Sequence, residues 1–149
     1  MDPIEKYREI KEEAERVAKK IGRAEFKPFF TTLFMRYPTV HAVQWTQFTP
    51  HFNDGSPCTF DVQDPYVARK PIAEMTHEEV RDTENDAWAA TDAWVTIGKR
   101  SEDPGDKAAH EVRVFFNGLE DVLRTTFGDG VQVRIERDGN ITVEEYDHD

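Results

Sequence analysis

Between Ala108 and Phe127, apolar residues return every three or four positions: Ala108, Ala109, Val112, Phe115, Phe116, Leu119, Val122, Leu123 and Phe127. That spacing puts one continuous apolar stripe along a long helix. Such a stripe leaves water only when a second apolar layer lies against it, so the rest of the chain must supply that layer. Ser101 to Asp103 can cap the helix, Pro104 fits just inside its start and Gly128 ends it. Gly118 falls in the interior, where glycine costs about 1 kcal/mol relative to alanine. It therefore predicts either a close approach by another element or a tolerated position.

The second layer reads as strands. VQVRIERDGNITVEEY forms a hairpin, and parity selects its turn. A two-residue Asp138-Gly139 loop would set Ile135 opposite Thr142, whereas a three-residue Asp138-Gly139-Asn140 loop sets Ile135 opposite Val143 and Arg134 opposite Glu144. The three-residue turn is predicted. Residues 39–48, TVHAVQWTQF, are β-branched and aromatic, and residues 58–63, CTFDVQ, alternate Cys58, Phe60 and Val62 with polar neighbours. These form a second hairpin with a long connection, and long hairpin loops are more often functional.

Asp2 and Pro3 open a helix with Glu5 at the capping-box position. Ile4, Tyr7, Ile10, Ala14, Val17, Ala18 and Ile21 then form a stripe, Glu12/Arg16 and Glu15/Lys19 pair on the wet face, and Gly22 is the natural stop. Lys11 interrupts the stripe, which fits packing on its own subunit as well as a dimer seam, so a homo-oligomer stays open. Phe26, Phe29, Phe30, Leu33 and Phe34 predict core positions around a short helix over 27–36, with Pro28 in its first turn. Residues 64–75 read as an extended linker. Thr76 with Glu79 can cap a helix, and a further helix is predicted over 84–95, carrying Trp88 and Trp94. The predicted order is ααββααββ: a single α+β domain over 1–149, with an antiparallel sheet of about four strands (two hairpins) covered by helices on one face.

The chain has 149 residues and 10 Phe, 4 Tyr and 3 Trp, enough to build a core without disulfide or metal. Its net charge of -11 opposes direct nucleic-acid binding, because that affinity comes from lysine and arginine displacing counterions. The same charge gives solubility, or lets the surface mimic nucleic acid on a basic host protein. Cys58 is the only cysteine, so no intramolecular disulfide forms and zinc spacings are absent. With no apolar run of membrane or signal length, no membrane association and a cytoplasmic location are expected.

Chemistry concentrates in QWTQFTPHFNDGSPCTF, residues 44–60. A catalytic reading takes Cys58 as nucleophile, His51 as base and Asp54 as orienter. The parity of Cys58 with Phe60 and Val62 favours a core cysteine instead. A metal reading draws on His51, Asn53 and Asp54, or on Asp82, Glu84 and Asp86, but neither set has the calcium-loop pattern. Those acids also suit a solvated helix start. No phosphate loop or nucleophile elbow is present, and nothing in the sequence calls for a cofactor. A binding reading fits better: Trp45, Phe48, Phe52 and Tyr66 offer flat faces, while Gln44, Thr46, Gln47, Thr49, His51 and Asn53 offer donors and acceptors. Trp45, Gln47, Thr49, His51, Asn53 and Asp54 are the predicted ligand contacts, exposed on a rigid loop that holds a planar, nucleotide-like molecule. The structural alternative has Pro50 and Pro57 stiffen the loop, Asn53-Asp54-Gly55 turn it, and Phe52 plug the sheet.

The run WTQFTPHFNDGSPCTF, followed by DVQDPY, resembles a signature of small proteins of tailed phages and prophages: Trp-Thr-Gln-aromatic-Thr-Pro, then Phe-Asn-Asp-Gly, then Pro-Cys and a strand. It covers residues 38–66 and carries over no activity. The resemblance implies an accessory factor that blunts a host process, by sequestering a small molecule or occluding a host protein. Two readings from other classes stand beside it: a small metal-assisted hydrolase using His51 and Asp54, and an acidic nucleic-acid mimic.

Overall fold

The computed structural model describes residues 2–50, 59–81, 83, 92–98 and 102–146. Helix α1 (Pro3–Arg36) begins as its sequence predicts, with Asp2 accepting the Ile4 N–H at 2.9 Å and Pro3 at the first position. It neither stops at Gly22 nor restarts near Pro28; both lie inside one helix of 34 residues. Gly22 is buried against helix α4 (Glu120–Phe127), where a Cβ would stand 2.2 Å from Thr126 Oγ1. Having no side chain lets the two helices touch. Gly118 has φ +84° and open space around it, and the single helix predicted from Pro104 divides there into α3 (Pro104–Phe116) and α4. Each glycine does what the sequence predicts of the other: Gly22 is the close approach, Gly118 the stop.

Among the described residues six antiparallel strands form one open sheet, two more than predicted: β1 (Ala42–Phe48), β2 (Asp61–Val62), β3 (Tyr66–Ala68), β4 (Trp94–Thr96), β5 (Val131–Glu136) and β6 (Ile141–Glu145). Their order is β4-β3-β1-β5-β6, with β2 sharing one edge of β1 with β3. The expected β1–β2 hairpin is present, pairing Gln47 with Val62 and Phe48 with Asp61, though β2 is shorter than predicted. Strand β3 occupies the presumed linker. Strand β4 overturns the end of the helix predicted over 84–95, whose residues 84–91 lie outside the described residues.

The β5–β6 hairpin closes through three residues, Arg137-Asp138-Gly139, one position earlier than predicted. Gly139 takes φ +93° and donates to the Glu136 carbonyl at 2.9 Å, while the Glu136 N–H reaches Asn140 O at 2.9 Å. A three-residue loop ends on its left-handed residue, and glycine takes that place at least cost. Ile135 therefore faces Ile141, and Arg134 faces Thr142 rather than Glu144. A shift by two preserves parity, so Val131, Val133, Ile135, Ile141 and Val143 still share the core side.

That core packs Val43, Trp45 and Val67 of the sheet against Phe26, Phe30, Leu33 and Phe34 of α1, Ala108, Val112 and Phe116 of α3, and Leu123 and Phe127 of α4. The phenylalanines of α1 are core, as predicted, except for half-buried Phe29, which stacks on Phe115 at 3.9 Å. Pro28 removes one hydrogen bond from the helix interior, and packing on both sides of it holds the chain helical. Arg137 closes the C-terminal end of α1, donating to the carbonyls of Phe34 and Tyr37 at 2.8 Å each and to that of Val40. Its guanidinium also lies over the Phe34 ring.

The opposite sheet face is not bare, as helices on one face alone would leave it. Ala42, Ala68, Ala93 and Trp94 form a small second core with Tyr66, Ile72 and Met75. Helix α2 (His77–Val80) crosses here, started by the predicted Thr76–Glu79 capping box and tied down by the Trp94 Nε1–H bond to the Glu79 carbonyl at 2.7 Å.

Candidate functional site

Strand β1 lies between β5 on one edge and β2 and β3 on the other, and alternation splits the predicted binding stretch in two. Trp45 and Gln47 face the helices. Trp45 is 1% exposed, wedged between Phe30, Phe116 and Phe127, and donates from Nε1 to Gln47 Oε1 at 3.0 Å. Gln47 is fully buried, and its Nε2 donates to the carbonyls of Leu123 at 2.9 Å and Gly128 at 2.7 Å. Every polar atom of that amide is used inside the fold, so it caps the end of α4 instead of presenting itself to a ligand. Thr49 is tied in a similar way: its N–H and hydroxyl donate to the Asp129 carboxylate at 2.8 and 2.7 Å. These three expected loop contacts are structural clips. His51, Asn53 and Asp54, along with Phe52 and Cys58, lie outside the described residues.

Gln44, Thr46 and Phe48 take the other face. Register places Tyr66 and Arg134 beside Gln44, Gln132 beside Thr46, and Thr96 beside Tyr66. Gln44 is 2% exposed and held from both ends: Nε2 donates to Thr83 Oγ1 at 2.8 Å, and Oε1 accepts from Arg134 Nε at 2.9 Å. Thr96 donates to the Pro65 carbonyl at 2.9 Å. A cleft of about 940 Å³ opens on this face, lined by Gln44, Thr46, Tyr66, Thr83 and Gln132, with Phe48 and Tyr146 at one end. The Phe48 and Tyr146 rings lie 5.7 Å apart. The cleft continues past the β2–β3 connection to α3, where His110, Arg113 and Asn117 border it and Arg113 stands 3.7 Å from Asp64.

The lining joins amides and hydroxyls (Gln44, Thr46, Gln63, Thr83, Thr96, Asn117 and Gln132) to the aromatics Trp45, Phe48, Tyr66, Phe116 and Tyr146 and to the charged Asp61, Asp64, Arg113 and Glu120. The amides and hydroxyls can recognise a flat molecule by its pattern of donors and acceptors, with the aromatic rings beside them. Sequence reasoning missed Arg134 and Thr83, which hold Gln44 in place. Hairpin parity carries the signal for Arg134, since it puts that residue on the face opposite Val133 and Ile135. Nothing in the local sequence marks Thr83.

Perturbed groups lie away from the cleft. Burial, with Arg137 nearby, pushes the His41 imidazole below its ordinary value, against a smaller opposing effect of Glu74. Burial, followed by the neighbouring Glu111 carboxylate, raises the Tyr37 phenol. Its hydrogen bond to Lys70, then those within the capping box, hold Glu79 below the usual carboxylate range. Among the described residues no group of three His, Cys, Asp or Glu side chains can hold a metal ion, and no helix is long and apolar enough to cross a membrane. Compared with protein-family models, curated proteins and solved structures, the chain matches none of them.

Proposed function

We propose that this chain is a non-enzymatic binding protein that takes a flat, polar small molecule of nucleobase or nucleoside type into the cleft beside β1. It acts, as the resemblance to phage proteins implies, by withholding that molecule from a host process. The observation that carries the reading is the Gln44 amide, buried and held in one orientation by Thr83 and Arg134 next to Thr46 at the cleft. A fixed amide beside a hydroxyl offers a preset hydrogen-bonding edge, which lowers the ordering cost of binding. Phe48 and Tyr146 add flat surface for stacking.

Native mass spectrometry of the protein purified from host cells, followed by calorimetry against a panel of nucleobases, nucleosides and nucleotides, tests the proposal. Thr46→Val is expected to weaken binding about 5- to 100-fold, the range for losing one or two buried hydrogen bonds, with the fold intact. A panel with no binder, or a binder indifferent to Thr46→Val and Gln44→Ala, sinks it.

A further inference from the structure

Helix α1 is buried in the fold at Gly22 and Phe26, whereas residues 2–17 are all exposed. Ile4, Tyr7, Ile10 and Val17 stand 66%, 70%, 61% and 44% exposed along one stripe. A lone helix of this length is marginal in water, and among the described residues nothing covers Ile4, Tyr7, Ile10 or Val17, so the stripe suits a partner.

The charge sequence says which partner. Residues 2–15 carry six acidic and three basic side chains, whereas residues 16–27 carry five basic and one acidic. Laid head to tail against itself, the segment sets its acidic half along the basic half of the other copy. Laid in parallel, it sets acid on acid and base on base. The helix dipoles favour the reversed arrangement as well.

We propose that two copies of this chain associate along residues 2–27 of α1, whose last turns keep Arg23, Ala24, Glu25 and Lys27 exposed, antiparallel about a two-fold axis near Ala14. Alanine at the crossing lets the helix axes approach, and the overlap, about 39 Å long at about 1.5 Å per residue, stacks Ile4, Tyr7, Ile10 and Val17 along the seam. Lys11 lies across the seam by its aliphatic stem with its ammonium at the rim. Opposite charges at the borders fix orientation more than strength.

Sedimentation equilibrium of the intact chain tests this. The expected species has twice the 17.3 kDa chain mass. Ile10→Asp, at an exposed position, is expected to keep the monomer fold by circular dichroism and weaken association about tenfold or more. Reversing Glu5, Glu9 and Glu12 to Lys is expected to break the dimer, and reversing Arg16, Lys20 and Arg23 to Glu in the same chain to restore it. A parallel pair would be indifferent to the first reversal, which would overturn the antiparallel arrangement. A wild-type chain that stays monomeric, or a dimer insensitive to Ile10→Asp, overturns the proposal and leaves the stripe to a partner of other chemistry.

Discussion

Replacing Gln47 with leucine separates a structural amide from a ligand-binding one. The side chains are similar in volume, so little cavity forms and the loss is one of hydrogen bonds. Gln47 accepts from Trp45 Nε1 and donates to two carbonyls, all in the interior or near it. Leaving the Trp45 N–H unpaired in a buried site costs about 1–3 kcal/mol, and weakening the two carbonyls adds about 1–2 kcal/mol. Leucine returns part of this by removing a buried amide, so a net loss of about 2–4 kcal/mol is expected. In a chain of this size that lowers Tm by about 5–15 °C. Urea denaturation supplies the free energy, provided the slope is unchanged. In a Trp45→Phe background, where the orphaned donor is absent, Gln47→Leu should cost about 1 kcal/mol less, the mark of a direct contact. A Gln47→Leu protein within about 0.5 kcal/mol of wild type would refute the clip and return Gln47 to the list of candidate ligand contacts.

Gly22→Ala gains about 1 kcal/mol of helix propensity but drives its Cβ into Thr126, an overpacking that costs about 1–3 kcal/mol. The expected net loss appears in thermal unfolding and is largely recovered in the Gly22→Ala/Thr126→Ala double variant. Gly118→Ala meets no atom yet holds φ +84°, so it should cost about 1–2 kcal/mol through the backbone alone, with no rescue from Thr126→Ala. His41 favours its neutral form in the fold, so its contribution is present above the unfolded value of about 6.5 and is lost as pH falls through the lower folded value. His41→Gln should flatten that part of the acid limb, read as urea midpoints between about pH 7.5 and about pH 5.

The parts of the fold legible in the sequence are those with enough residues to show a period. The α3–α4 stripe, the aromatic cluster of α1, strand β1 and the β5–β6 pair all emerge from periodicity, and three helix starts emerge from Asp2, Thr76 and Asp103. Strands β3 and β4 have three residues each, too few for alternation to register, and their pairing partners confirm them only in space. Glycine misleads for a different reason: a helix stop and a helix contact both need the absent Cβ, and only the neighbouring element distinguishes them. The site shows the same ambiguity. Gln44 and Gln47 are three residues apart in one strand, chemically identical, and sent to opposite faces. Their partners, Arg134 and the carbonyls of Leu123 and Gly128, come from 76 to 90 residues away. Alternation could have sorted Trp45 and Gln47 into the core, but which face of β1 meets the helices depends on the whole sheet.

The central place of β1 also sets a timetable for assembly. Its long pairing with β5 joins residues 90 positions apart at Gln44 and Arg134, so closing the sheet must wait for most of the chain. At a synthesis rate of about 5–20 residues per second, β1 leaves the ribosome about 5–20 s before the strand that completes it. During that interval the Val43–Trp45 edge has only short neighbours to pair with, so the nascent chain passes through a window in which chaperones, or other copies of itself, compete for the strand on which the finished sheet is built.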